Sequence, residues 1–150
     1  MTISTNDAIV KLGTTKTLEA NGASIANTAM GQANDASYSI ATDGSNAPDA
    51  DFVLIATFAT APTVNSTIDL YAQELDIDGT ADAAAPTTAY KQRYIGSFVV
   101  LNTTAAQPLK VRAYDVPLVA SYFLLNNATG QTLSTGWSLK VTPRTIGPAA

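Results

Sequence analysis

The acidic segment 76–82 is the part of the chain in which residue types and spacing most suggest a binding chemistry. Carboxylates at Asp76, Asp78 and Asp82 lie close together around a glycine, and such a group can wrap a hard cation such as Ca²⁺. The EF-hand pattern is not met, because Thr80 stands at a ligand position and no glutamate closes the loop. The other interpretation is a solvated loop whose aspartates accept hydrogen bonds from their own backbone. We predict the solvated loop, with no metal and no cofactor, and keep the calcium loop as the alternative.

Acid–base and nucleophilic catalysis have few candidate groups in this chain. It contains neither Cys nor His, so the commonest general base and the commonest metal ligand are both missing. Glycoside hydrolysis needs a pair of carboxyl groups, which Glu74 and one of the aspartates would have to supply, and no pattern marks such a pair. We therefore predict that the protein is not an enzyme and has no catalytic residues.

Two features predict contacts with other molecules. Tyr71 alternates with Ile68 and Leu70 and is therefore expected on the opposite, exposed face of its strand, where a tyrosine can anchor an interface or stack on a sugar. The N-terminal segment 1–12 is polar at first and then apolar, so it can add as a strand to an exposed sheet edge. The predicted interface residues are Ile3, Ala8, Ile9, Val10 and Tyr71.

Alternation of apolar and polar residues is the main structural signal after residue 50, and it predicts β-strands. The run 51–59 is rich in β-branched and aromatic residues, and the alternating run 66–75 follows it across a short linker, 61–65. We expect these two strands to form a hairpin. Further strands are predicted at 90–101, 109–114, 121–126 and 137–142.

The first fifty residues carry weaker signals, with strands expected at 15–18, 23–29 and 36–40 and loops at 31–35 and 42–49. Short strands separated by Pro, Gly and Asn are typical of a sandwich or barrel. We predict one all-β domain over 13–150, a single antiparallel β-sandwich of jelly-roll type with about seven to nine short strands, preceded by an arm over 1–12. Its predicted core residues are Phe52, Leu54, Ile68, Leu70, Val111, Leu139 and Val141.

Composition limits the classes of partner. Charged residues make up 13% of the chain, about half the usual share, and low surface charge favours close packing against neighbours. The net charge is −4 and the eight basic residues form no dense cluster, so we expect no nucleic-acid partner.

No apolar stretch approaches the ~18 residues of a membrane span. Residues 1–7 lack the basic and apolar regions of a secretory signal, so we expect synthesis in a cytoplasm without signal cleavage.

The charges divide unevenly along the chain. Residues 1–82 hold eleven acidic and two basic residues, a balance of −9, whereas residues 83–150 hold one acidic and six basic residues, a balance of +5. In one interpretation, strands of the two halves pair in the same sheets and neutralise each other. In the other, the molecule has two poles that meet complementary neighbours.

Four segments resemble a group of small proteins encoded in tailed-bacteriophage genomes. They are MTISTNDAIV at 1–10, DFVLIATFATAP at 51–62, IDLYAQELDIDGTADAAAP at 68–86 running into 90–98, and GQTLSTGWSLKVTP at 130–143. Residues 11–50 resemble the group least. The group looks like virion structural components of the head decoration, or capsid cement, type, with a β-sandwich core.

This resemblance implies a non-enzymatic protein that decorates and stabilises the outside of a phage capsid after assembly in the host cytoplasm. The implied partners are the major capsid protein and further copies of the chain, with a trimer favoured, and the implied location is the outer surface of the head. The alternative function is a carbohydrate- or receptor-binding module of a virion tail or spike. That alternative needs exposed aromatic residues on one face, with Tyr71 among them, or calcium at the acidic loop.

Overall fold

A computed structural model describes residues 8–43 and 47–148, so the predicted interface residue Ile3 and the first part of the predicted arm lie outside the described residues. The described residues contain no helix and form nine β-strands. These are β1 Ala8–Leu12, β2 Lys16–Gly22, β3 Met30–Tyr38, β4 Asp49–Ala56, β5 Thr67–Glu74, β6 Tyr94–Val99, β7 Gln107–Ala113, β8 Ser121–Ala128 and β9 Trp137–Pro148.

The strands form two sheets, and all of their pairings are antiparallel. Sheet 1 has the order β1-β9-β4-β7, with β2 also on β9, and sheet 2 has the order β3-β8-β5-β6. β1 pairs with 144–148 of β9 and β2 with 137–141 of β9, so these two strands lie end to end along one edge. The chain changes sheet at every connection except β1–β2 and β5–β6, which is the jelly-roll topology. The predicted all-β sandwich is confirmed.

The core lies between the two sheets and is built by strand alternation. On β4, Phe52 and Leu54 point inward, each between residues of β7 and β9 that also face the other sheet. The Phe52 ring lies 4.9 Å from that of Phe123 on β8, centroid to centroid, and so joins the two sheets. The predicted core residues on β4, β5 and β9 are fully buried, whereas Val111, on the edge strand β7, is only partly buried against the core.

The predicted hairpin of 51–59 and 66–75 is wrong. β4 lies in sheet 1 and β5 in sheet 2, so the linker between them crosses the sandwich instead of turning within one sheet. Two further assignments are corrected: 31–35 lies within β3 and is not a loop, and the expected strand 23–29 is reduced to a bridge between Ile25 and Leu133. Pairing with β8 places 31–33 in a strand despite poor β-propensity, and Asn34 and Asp35 follow in an irregular part of the same strand.

The connection 75–93 folds back along the outer face of sheet 2. Ala83 N donates to Glu74 O at 2.8 Å, and Gln73 Nε2 donates to Ala83 O at 3.0 Å, which holds the connection against β5. Pro86 is buried and lines a groove with Leu124 of β8. This connection therefore covers part of a sheet face that alternation alone would leave open to solvent.

Candidate interaction surface

The outer face of sheet 1 collects charged residues from three strands that are far apart in the sequence. Asp51 of β4 lies opposite Arg112 of β7 on one side and Thr142 of β9 on the other. Lys110 and Lys140 lie opposite Val53, two residues further along β4. Since residues two apart on a strand share a face, all of these side chains project from the same side of the sheet.

Asp51 is the centre of a compact ion cluster. Its carboxylate lies 2.8 Å from Lys110 Nζ, 3.1 Å from Arg112 Nε and 3.5 Å from Arg144 Nε. The Asp51 side chain is only 8% exposed. Burial by itself would raise the pKa of Asp51, but the hydrogen bonds donated by Lys110 and Arg112, and their charges, hold that pKa below its ordinary value. We call Asp51, Lys110, Arg112 and Arg144 the Asp51 cluster.

The Asp51 cluster leaves this face with a surplus of positive charge. One buried carboxylate faces three cations, and Asp49 is the other carboxylate that β4 presents beside it. Lys140 is exposed and forms no ion pair within the described residues. The acidic first part of the sequence and the basic second part therefore neutralise each other at Asp51, but positive charge remains in excess on this face.

An apolar patch adjoins the Asp51 cluster at one end of the same sheet. Its large side chains are unusually open to solvent: Val10 is 53% exposed, Leu12 64%, Tyr114 68% and Ile146 72%. Val10 lies opposite Ile146 and Leu12 opposite Arg144 in the β1–β9 pair. A depression of about 160 Å³ is lined by Val10, Tyr114 and Ile146 together with Asp49, Arg144 and Thr145. Contiguous exposed apolar surface rimmed by charge is typical of protein interaction sites.

The predicted interface residues have different positions in the structure. Ala8 and Val10 are exposed on β1, and Ile9 is half-buried, pointing to the other side of the strand. Tyr71 faces away from the core as alternation predicted, but it is 5% exposed, so the expectation of an exposed Tyr71 is wrong. Its ring packs edge-on against Tyr94, with centroids 5.6 Å apart. Burial of the hydroxyl, with Asp69 and Tyr94 nearby, raises the pKa of Tyr71.

Sequence reasoning missed the residues that complete the patch. Ile146 follows Pro143 near the C-terminus, and Tyr114 comes directly after β7, so neither stands out in a single segment. The alternation of Lys110 and Arg112 was a usable signal for an exposed basic strand face. The position of Asp51 between them and Arg144 depended on which strands pair.

Two carboxylates of the acidic loop, those of Asp78 and Asp82, accept hydrogen bonds from within the loop. Asp78 Oδ1 accepts hydrogen bonds from Thr80 N at 2.9 Å and Ala81 N at 2.6 Å, and Asp82 Oδ1 accepts one from Asp76 N at 3.1 Å. The bonds from Ala81 and Thr80 lower the pKa of Asp78. Within the described residues, Asp76, Asp78 and Asp82 do not form a group placed to hold a metal ion.

Three cavities lined by described residues bear on catalysis. Each holds at most one carboxylate: Glu74 in the first, Asp49 in the second and none in the third. Glu74 is bound by Arg93, whose Nε lies 3.0 Å from Glu74 Oε1. None of these cavities brings together the carboxyl pair that glycoside hydrolysis requires.

Comparisons of the chain with protein-family models, with curated proteins and with solved structures find no match. The described part of the chain has no helix capable of crossing a membrane.

Proposed function

We propose that the chain is a non-enzymatic virion structural protein that decorates and stabilises the outside of a tailed-phage capsid. Its partners are the major capsid protein and further copies of itself, with a trimer favoured, and it acts on the outer surface of the head after assembly in the host cytoplasm. Attachment occurs through the apolar patch of sheet 1, with the Asp51 cluster beside it.

The observation that carries this proposal is the exposure of Val10, Leu12, Tyr114 and Ile146 on one end of a well-formed sheet. A side chain of this size gains about 1.5–3 kcal/mol when it is fully removed from water. Four such side chains on one surface therefore favour association with another protein. The neighbouring cations favour a partner surface that is acidic around an apolar centre.

The low charge of the chain supports a protein that works at high local density. With 13% charged residues, copies that sit side by side on a shell repel each other only weakly. A protein that binds the assembled shell, and not its free subunits, stabilises the shell by mass action. Many symmetric copies then add their contributions, even where each single contact is modest.

The carbohydrate- or receptor-binding alternative rested on an exposed Tyr71 or on a calcium loop. Tyr71 is buried, and Asp78 and Asp82 of the acidic loop accept hydrogen bonds from their own segment. Neither feature therefore supports the carbohydrate- or receptor-binding alternative in the way that the sequence suggested. The apolar patch, in contrast, supports attachment to a protein shell.

The proposal is tested by sedimentation of the protein with purified heads that lack it. The double variant Val10→Ser/Ile146→Ser removes the two apolar side chains that face each other across β1 and β9. We expect its occupancy on heads to fall at least about tenfold, corresponding to about 1.4 kcal/mol.

The matched control is Val99→Ser/Leu101→Ser. Val99 is 54% and Leu101 61% exposed, and both lie at the end of β6 in sheet 2 or just beyond it. This control should keep the parent's occupancy. Equal binding by the two double variants, or loss of binding only in the control, would contradict attachment through sheet 1.

A further inference from the structure

A second cluster of polar and aromatic residues lies on the outer face of sheet 2, away from the apolar patch. Asp69 of β5 stands between Asn126 of β8 and Ser97 of β6. Ser97 Oγ donates to Asp69 Oδ1 at 2.6 Å, and Asn126 Nδ2 lies 3.5 Å from Asp69 Oδ2. Asp69 is half-buried and forms no ion pair with any described residue.

The hydrogen bonds of this cluster run in one direction. Tyr94 Oη lies 2.7 Å from Ser97 Oγ. Because the Ser97 hydroxyl proton is used on Asp69, the Tyr94 hydroxyl must be the donor to Ser97. The cluster therefore presents acceptors to an incoming molecule: the remaining lone pairs of the Asp69 carboxylate and those of the Tyr94 oxygen. A ligand that binds here has to bring hydrogen-bond donors.

Tyr94 also presents an aromatic surface in a fixed position. The residue is 57% exposed, its hydroxyl is held by Ser97, and its ring is held edge-on by the buried ring of Tyr71. A ring restrained at both ends loses little conformational freedom on binding, so stacking on it costs little entropy. Aromatic rings of this kind are common platforms for the apolar faces of flat or ring-shaped ligands.

An open groove continues the cluster across the same sheet face. Its floor is formed by Met30, Gln32 and Leu124, which share the outer face of β3 and β8 with Asn126. One wall of the groove is formed by Pro86, Thr87 and Thr88 of the connection 75–93. The groove has a volume of about 540 Å³ and is lined by neutral hydroxyl, amide and apolar groups without a charged residue.

We propose that Asp69, Ser97 and Tyr94 form a binding site for a neutral saccharide unit, with the groove taking further units of the chain. Sugar hydroxyls supply the donors that Asp69 and Tyr94 require, and the C–H face of a pyranose ring stacks on Tyr94. The carboxylate excludes anionic ligands, and the uncharged groove favours neutral ones. This binding activity is separate from attachment to a shell through sheet 1.

The test uses the full-length, ¹⁵N-labelled protein in solution and does not involve particles. D-glucose, D-galactose, D-mannose and N-acetyl-D-glucosamine are titrated separately, and the amide shifts are followed by NMR. We expect saturable shifts at residues 69, 94 and 97 with at least one of these sugars. Tyr94→Ala should weaken its binding at least about tenfold, which corresponds to about 1.4 kcal/mol.

Val64→Ala is the control, because Val64 is 59% exposed, close to the 57% of Tyr94, but lies in the linker between β4 and β5. It should bind the sugar as the parent does, and the thermal midpoints of both variants show whether they are folded. Absence of saturable shifts with every sugar, or shifts that persist unchanged in Tyr94→Ala, overturns the proposal. Binding of Nα-acetyl-lysine methylamide in place of the sugars would assign the cluster to a basic peptide and would overturn it equally.

Discussion

The indole ring of Trp137 lies directly against the backbone of Gly22, so that a Cβ atom on Gly22 would be 2.0 Å from Trp137 Cε2. The two residues face each other across the β2–β9 pair. Trp137 is 1% exposed, and its Nε1 donates to Ala23 O at 2.7 Å. The indole ring is therefore held by a hydrogen bond in a space that any side chain at residue 22 would occupy, so this position requires glycine.

Gly22→Ala is expected to destabilise the fold strongly. The added methyl group must displace a buried indole or the edge strand β2, and overpacking of this kind costs about 1–3 kcal/mol, occasionally more. For a chain of this length, that cost corresponds to a fall of about 2–12 °C in the thermal midpoint. The control is Gly147→Ala, where the added Cβ would be 3.8 Å from Lys11 Cε, an ordinary contact. Similar thermal midpoints for the two variants would contradict this packing.

The Asp51 cluster predicts a specific acid dependence of stability. Because the pKa of Asp51 is lowered in the folded state, the unfolded chain takes up its proton at higher pH than the folded protein does. The contribution of Asp51 is therefore fully present above the ordinary aspartate pKa of about 3.9 and is lost as the pH falls through the folded pKa. In urea unfolding measured from neutral pH down to about pH 2, the parent should lose more stability than Asp51→Asn.

At neutral pH, Asp51→Asn should cost about 1–2 kcal/mol, less than a fully buried ion pair, because Lys110 and Arg112 remain half exposed. Asp49→Asn changes a carboxylate of the same strand that has no ion-pair partner among the described residues. It should keep the parent's acid dependence. If the acid profile of Asp51→Asn instead runs parallel to that of the parent, the carboxylate does not stabilise the fold through its charge.

Removal of residues 2–10 should separate folding from assembly. β1 pairs with β9 alone, and its residue Val10 is half exposed. Loss of β1 should therefore leave the sandwich folded, with a thermal midpoint within about 5 °C of the parent. Particle binding or self-association should be lost, because the deletion takes away Ile3, Ala8, Ile9 and Val10. Sedimentation with heads and light scattering measure the two properties. A truncated chain that stays oligomeric and still occupies heads as the parent does would show that the N-terminal arm is dispensable.

The strands themselves were largely readable from local pattern. Phe52 and Leu54 alternate with polar or half-buried neighbours, and both are fully buried in the structure. The prediction of a loop at 31–35 was wrong because Gly, Asn and Asp have weak β-propensity, whereas residues 31–33 pair with β8 and make the segment part of β3. The hairpin between β4 and β5 failed for a related reason: alternation describes one strand and carries no information about its partner.

Tyr71 shows how a correct local inference can lead to a wrong conclusion about exposure. Period-2 alternation placed its side chain on the face opposite Ile68 and Leu70, and the structure agrees. The connection 75–93 then runs along that face, and Tyr94 packs against the ring. The exposed aromatic residue of this region is therefore Tyr94, which sequence reasoning had assigned to a strand without further distinction.

The sequence by itself determined that the chain is all-β, because period-2 alternation and frequent turn residues are local properties that need no knowledge of neighbours. It also determined which side chains of β4, β5 and β9 face the core. Only the tertiary structure decided which charges meet: Asp51 and Arg112 are 61 residues apart and are joined because β4 and β7 pair in one sheet. The apolar patch likewise exists because β1 lies on the last part of β9, bringing Val10 to Ile146. Contacts of this kind depend on strand order and register, which residue spacing along the chain does not encode.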